Sequence, residues 1–238
     1  DKVMPDLAME EEKNPLLGWR AIRYCLSDRD LFQAQLRAIL RASVYGDARL
    51  MFPMISGPAE LALALAALDE AKTECRKRGQ PFREDLPVGI MVEVPSAAMT
   101  ADILASMVDF FSIGTNDLIQ YTIAVDRGNE KVAYLHQPFH PAVLRLVKRV
   151  IDDGHAEGIP VSMCGEMASD PYAAVVLLGM GLDEFSMSAV SVPDVKRVIR
   201  TVSHADAVRI AGSVLSLRSS GEIETFLHDQ LQDILVRD

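Results

Sequence analysis

The chain has 238 residues, a length that fits one large α/β domain or two smaller domains. Hydrophobic residues make up 49% of it and charged residues 24%, which excludes disorder over most of the chain. The net charge of -10 argues against a nucleic-acid surface, and no apolar run reaches the roughly 18 residues of a membrane-spanning helix.

Cysteine usage points to the compartment. The three cysteines, Cys25, Cys75 and Cys164, have no CxxC spacing, so neither a disulfide framework nor a structural zinc site is expected. Together with an acidic start that does not resemble a signal peptide, this pattern favours a reducing cytoplasm. Cys25 and Cys75 fall in predicted helices, where we expect inert packing.

Predicted helices and strands alternate along the chain. A polar, turn-rich stretch over residues 8–15 leads into Gly18-Trp19-Arg20. The apolar periodicity then predicts helices, and short two-sided apolar runs predict buried parallel strands. The helices are predicted over 28–42, 58–78 and 138–156, with an amphipathic helical cap over 203–238. The strands are predicted over 49–55, 88–93, 108–114, 161–164 and 184–188.

This alternation predicts βαβ units, in either an open doubly wound sheet or a closed barrel. Most predicted strands end on glycine or on a residue that can do chemistry, among them Glu93, Gly114 and Cys164. In a barrel all these ends meet at one mouth, so the pattern favours an α/β fold of the (β/α)8 type. No low-complexity linker divides the chain, and we predict one domain over 1–238.

Two carboxylates are candidates for a metal site. Glu93 ends one predicted strand, and Asp117 follows the next through Gly114-Thr115-Asn116. Mg²⁺ is usually held by one or two carboxylates together with phosphate oxygens, so the pair indicates a magnesium site. The alternative for Asp117 is a structural role at the start of the next helix.

Other residues suit an anionic substrate. Arg20 and Arg127 lie beside turns, from which an arginine can clamp phosphate or carboxylate, although either could be a plain surface residue. The amides of 114–117 begin a predicted helix and can also attract an anion. Cys164 is a candidate acid, base or nucleophile, and the alternative is an inert buried thiol. We expect the five histidines to be structural or surface residues.

These motifs together resemble enzyme I of the phosphotransferase system, the phosphoenolpyruvate-protein phosphotransferase family, over essentially the whole chain. The resemblance rests on the order and spacing of several segments rather than on one motif. They are residues 14–23, 51–54, 89–95, 109–118, 121–129, 163–166 and 179–188.

The resemblance implies a (β/α)8 barrel that binds phosphoenolpyruvate and Mg²⁺ and forms a homodimer. Glu93 and Asp117 would hold Mg²⁺, and Arg20 and Arg127 would bind the substrate phosphate. Asn116 would contact phosphate or carboxylate, and Cys164 would protonate the enolpyruvate carbon as pyruvate forms. The phosphoryl group would pass to a histidine on a separate N-terminal part and then to the carrier HPr.

The resemblance also implies that the chain is a fragment of a longer enzyme. In the family the first barrel strand and two substrate arginines precede the position of Asp1. On this basis the isolated chain is not expected to complete phosphoryl transfer, and its binding site lacks those arginines.

Two other functions remain open at this stage. The chain could be the barrel of a pyruvate phosphate dikinase or phosphoenolpyruvate synthase, which share the substrate and the cysteine acid. It could also be a non-catalytic phosphoenolpyruvate sensor or dimerisation module. Within the resembled enzyme, the sequence does not distinguish sugar uptake from the nitrogen-related regulatory branch.

Overall fold

The computed structural model describes residues 12–235, so the acidic start and the expected loss of the first strand lie outside the described residues. Five strands are present in the described part: β1 (Leu50–Phe52), β2 (Val88–Val92), β3 (Phe110–Gly114), β4 (Val161–Cys164) and β5 (Glu184–Phe185). All five predicted strands are confirmed, and three of them, β1, β3 and β5, are shorter than predicted by two to four residues.

Helices connect and cover these strands. They are α1 (Ala21–Ser27), α2 (Arg29–Ala42), α3 (Pro58–Lys77), α4 (Pro95–Met99), α5 (Ala101–Ala105), α6 (Thr115–Ile123), α7 (Pro141–Ala156), α8 (Pro171–Met180), α9 (Val192–Thr201), α10 (His204–Ser216) and α11 (Ser220–Leu235). The predicted C-terminal cap is thus two helices, α10 and α11. None of the helices in the described range is long and apolar enough to cross a membrane.

The strand order identifies the architecture. The strands pair in parallel in the order β1-β2-β3-β4-β5, which is also their order along the chain. A doubly wound sheet reverses its order at a switch point, whereas in a (β/α)8 barrel each strand is added next to the one before. The fold is therefore α/β of the barrel type, and residues 12–235 supply five consecutive strands of it.

The register brings the strand ends together. Val92 pairs with Ile113, and Gly114 pairs with Cys164, so the carboxyl ends of β2, β3 and β4 lie side by side. Glu93 and Thr115 continue directly from two of these ends. The residues that follow the strands therefore lie together at the carboxyl end of the strands, where barrel enzymes place their active sites.

Local sequence explains why the helices form where they do. The Asp28 side chain accepts a hydrogen bond from the Leu31 amide and begins α2, whose buried face repeats every four residues at Phe32, Leu36 and Leu40. Proline stands in the first turn of α3, α7 and α8, where its missing amide hydrogen costs nothing. These apolar faces join the strands in one buried core.

Two aspartates bind backbone amides at the opposite end of the sheet, where the strands begin. Asp109 lies just before β3, and its Oδ2 accepts the amide hydrogen of Val88 at 2.8 Å. Asp183 lies just before β5 and does the same for the Val161 amide, also at 2.8 Å, while it pairs with His155. Each carboxylate thus satisfies the first donor of the neighbouring strand and helps to fix the register.

Candidate active site

Glu93 is a buried carboxylate at the end of β2. Its side chain is only 4% exposed, and its Oε1 accepts the Met54 amide hydrogen at 2.7 Å. Burial raises the pKa of Glu93 to about 7; the Met54 hydrogen bond opposes this rise, and the nearby charge of Asp117 adds to it. A buried acid with a perturbed pKa at a strand end is typical of a functional site.

The backbone is adapted to hold this carboxylate. Met54 has a positive φ of 56°, a conformation that costs a non-glycine residue energy, and it is buried. Gly114 lies across from Glu93, and a Cβ atom there would come within 2.8 Å of Glu93 Oε2. The Met54 conformation supplies a hydrogen-bond donor to Glu93, and the missing side chain of Gly114 leaves space for its carboxylate. Both features indicate that Glu93 has a role beyond packing.

Asp117 lies in the first turn of α6 and forms an ion pair with Arg20. Arg20 Nη1 and Asp117 Oδ1 are 2.9 Å apart, and the two side chains are only 17% and 20% exposed. Burial disfavours the charged guanidinium, but Asp117 and Tyr121 outweigh that effect and raise the pKa of Arg20. The structure thus brings two predicted site residues, Arg20 and Asp117, into direct contact.

The carboxylate pair fits a divalent cation. Because the charge of Asp117 helps to raise the pKa of Glu93, the two groups are close enough to repel each other when both are ionised. A cation between them would remove that repulsion. No group of three or more His, Cys, Asp or Glu side chains suited to a metal occurs in residues 12–235, so the remaining ligands would be substrate or water oxygens, as Mg²⁺ prefers.

Cys164 ends β4 beside these carboxylates. Burial raises the pKa of its thiol, a hydrogen bond with Ser112 opposes the rise, and the charges of Glu93 and Asp117 add to it. The Thr115 hydroxyl donates to the Cys164 carbonyl at 3.0 Å and ties β4 to the start of α6. A thiol that keeps its proton suits a general acid better than a nucleophile.

Asn116 and Arg127 both contact Glu166, two residues after this strand ends. Asn116 Oδ1 accepts the Glu166 amide hydrogen at 3.1 Å, and Arg127 Nη1 lies 3.6 Å from Glu166 Oε1. Between them, Gly165 has a φ of 97° and lies so close to Thr115 that a Cβ atom would clash at 2.4 Å. The structure therefore places both residues beside the segment that follows Cys164, and the Arg127 side chain is 42% exposed.

Three residues of the site were missed in the sequence. The Tyr121 hydroxyl accepts from Arg20 Nη1 at 2.9 Å, and Gln120 Oε1 accepts the Arg127 amide hydrogen at 3.2 Å. His136, which we expected to be structural or superficial, has Nε2 only 3.3 Å from the Asn116 carbonyl oxygen. The spacing of Tyr121, four residues after Asp117, was the one available signal, since such residues share a helix face.

The fold and the site define a class of protein: a barrel-type domain whose strand ends bring acids, arginines and a thiol to one mouth. The family described as PEP-utilising enzyme, PEP-binding domain, matches residues 1–204. The chain belongs to this family.

Curated relatives are similar over nearly all of the chain. A phosphoenolpyruvate-protein phosphotransferase of Haemophilus influenzae is 52% identical over 231 residues, 97% of the chain. Proteins of the same name from Priestia megaterium and Bacillus subtilis are 53% and 51% identical and match 95% and 96% of it. These names confirm the resemblance to enzyme I. The chain spans about 40% of the length of each of these relatives.

A solved structure supports the fold alone. A citrate lyase of Burkholderia xenovorans LB400 superposes with a TM-score of 0.54 over 87% of this chain and 70% of its own. Its sequence identity is 16%, so the likeness concerns the fold and not the activity. It agrees with the barrel-type strand order.

Proposed function

We propose that residues 1–238 act as the phosphoenolpyruvate-binding domain of a phosphoenolpyruvate-protein phosphotransferase. The observation that carries the proposal is the meeting of Glu93, Asp117 and Cys164 at adjacent strand ends, with Arg20 paired to Asp117 at 2.9 Å. The names of the relatives favour this enzyme over a dikinase or synthase barrel. The presence of carboxylate, arginine and thiol side chains at one site favours catalysis over a purely sensory role.

The residues have complementary tasks in this reaction. Arg20 and Arg127 bind the phosphate of the substrate, and Asn116 orients it. Mg²⁺, held by Glu93 and Asp117, would supply positive charge that neutralises the substrate oxygens. Phosphoryl transfer depends mainly on such positioning and neutralisation of charge, so the protein needs no covalent intermediate in this domain.

Cys164 completes the chemistry. When the phosphorus–oxygen bond breaks, the phosphoryl group passes to a histidine outside this domain, and the bonding electron pair stays on the enolate oxygen of pyruvate. The Cys164 thiol then gives its proton to the methylene carbon, which forms the methyl group of pyruvate and leaves a thiolate that is reprotonated by solvent. The raised pKa of Cys164 is consistent with a thiol that is protonated when the enolate forms.

The proposal includes the partners that the resemblance implies. The acceptor histidine lies on an N-terminal part of the enzyme, an HPr-type carrier takes the phosphoryl group onward, and the domain functions as a homodimer in the cytoplasm. Such a relay serves either sugar transport or the nitrogen-related regulatory branch, between which the sequence does not distinguish.

Calorimetric titration of phosphoenolpyruvate into the chain tests the proposal. Affinity should be at least about 10-fold higher with Mg²⁺ than with a chelator, because a cation held by Glu93 and Asp117 would supply positive charge where the phosphate binds. Asp117→Asn should lose that difference, whereas Asp194→Asn, at an exposed position in α9, should keep it. Equal affinity with and without Mg²⁺ in the unaltered chain would contradict the proposal.

A further inference from the structure

Tyr121 is a partly buried residue that links three parts of the site. It lies on α6 one turn after Asp117, so both side chains face Arg20. Arg20 Nη1 donates to Asp117 Oδ1 and to the Tyr121 oxygen, each at 2.9 Å. The Tyr121 hydroxyl in turn donates its proton to the Leu16 carbonyl, and its oxygen lies 3.9 Å from Met54 Sδ.

The directions of these hydrogen bonds are fixed by chemistry. Guanidinium can only donate and a carbonyl can only accept, so the phenol must accept from Arg20 and donate to Leu16. The pKa of Tyr121 is raised, chiefly by burial, so the hydroxyl retains the proton it donates. The phenol therefore ties the arginine to the backbone that precedes it.

The backbone beside Arg20 is constrained on both sides. Arg23 Nη1 donates to the carbonyls of Leu17 and Gly18, at 2.9 Å and 3.1 Å, and holds the turn that contains Leu16. Ala21, directly after Arg20, has a φ of 51°, an uncommon conformation that surrounding contacts must maintain. The direction of Arg20 is thus imposed before any substrate arrives.

We propose that Tyr121 is a positioning residue that holds the guanidinium of Arg20 in the orientation that binds substrate phosphate. This rests on the proposed function. The phenol gives Arg20 Nη1 a second acceptor beside Asp117, and two acceptors on one nitrogen restrict the tilt of the planar guanidinium more than one acceptor does.

Tyr121→Phe removes only the hydroxyl and keeps the ring in place. The phosphoenolpyruvate dissociation constant in the presence of Mg²⁺ should rise roughly 10-fold, the effect expected when a displaced Arg20 loses one charge-assisted contact with the phosphate. Tyr45→Phe is the matched control, because Tyr45 is 88% exposed, and it should change the constant less than about 2-fold. All titrations are done well below the melting temperature of each variant.

A double-mutant cycle separates positioning from general support of the fold. In an Arg20→Ala background, Tyr121→Phe should weaken binding by less than about 2-fold, because the group on which it acts is gone. An undiminished 10-fold effect in that background would overturn the inference, as would normal affinity of the single Tyr121→Phe variant. If the unaltered chain bound no phosphoenolpyruvate with Mg²⁺, the proposed function itself would fail. That result differs from the two results that would overturn the role of Tyr121, because in each of those the unaltered chain still binds substrate.

Discussion

Replacing Glu93 by glutamine should stabilise the metal-free protein at alkaline pH. Glutamine has nearly the same shape, and its amide oxygen can still accept the Met54 amide hydrogen that Glu93 now accepts at 2.7 Å. It carries no charge, however, so the cost of ionising a buried group beside Asp117 disappears. A stabilising substitution of a buried polar residue is unusual, and here it is expected because the native carboxylate is kept for binding rather than stability.

The size of the effect follows from the pKa. The pKa of Glu93 rises from 4.5 to about 7 on folding, and each pKa unit corresponds to about 1.4 kcal/mol. Ionisation of Glu93 therefore lowers the free energy of unfolding by about 3 kcal/mol near pH 8. Because the folded pKa is the higher one, the stabilising contribution of the proton is complete below about pH 4.5 and is lost as pH rises through 7. Near pH 5 the same calculation leaves less than about 1 kcal/mol.

Urea unfolding with a chelator at about pH 5 and pH 8 measures this difference. The free energy of unfolding of Glu93→Gln should exceed that of the unaltered chain by about 3 kcal/mol at the higher pH and by less than about 1 kcal/mol at the lower pH. Glu157→Gln, at an exposed position, is the control and should show no such pH dependence. A Glu93→Gln effect of equal size at both pH values would refute the reasoning.

Three further predictions concern the chemistry. With Mg²⁺ in D₂O, the chain should exchange the methyl hydrogens of pyruvate for deuterium, which NMR follows. Cys164→Ala should slow this exchange at least about 100-fold, whereas Cys25→Ala should not. An unchanged exchange rate in the Cys164 variant would mean that the thiol only packs against its neighbours. Arg127→Ala should weaken phosphoenolpyruvate binding about 10-fold or more in calorimetry. The control Arg200→Ala, at an exposed position, should leave the affinity unchanged. Unchanged affinity in the Arg127 variant would show that Arg127 does not bind the substrate. Mass spectrometry should find no phosphohistidine after incubation of this chain alone with phosphoenolpyruvate and Mg²⁺, and a stable adduct on any of its histidines would indicate a self-contained kinase.

Much of the fold could be predicted because its signals are local. Short two-sided apolar runs marked the strands, and the polar residue or glycine after each run marked the strand end. Parallel packing then required Glu93, Gly114 and Cys164 to be neighbours, and the register shows that they are. The alternation of strands and helices fits both a barrel and a doubly wound sheet. The reactive residues at the strand ends favoured the barrel, and the strand order of the structure confirms it.

The missed contacts depend on side chains far apart in sequence. Tyr121 reaches Leu16 and Arg20 across about a hundred residues, and nothing in its local sequence distinguishes it from a core tyrosine. Asp109 and Asp183 look like ordinary loop acids, although each satisfies the first amide of a neighbouring strand. The positive φ of Met54 was also hidden, because methionine has no preference for that conformation.

The most direct test of the account is the position of a metal ion in crystals of the chain grown with Mn²⁺, which takes oxygen ligands as Mg²⁺ does, and phosphoenolpyruvate. Anomalous scattering locates the ion without reference to any assumed site. The account predicts one peak in contact with the carboxylates of Glu93 and Asp117 and with the substrate, and its loss in Asp117→Asn. A peak elsewhere, with these two carboxylates free of metal while substrate is bound, would contradict it.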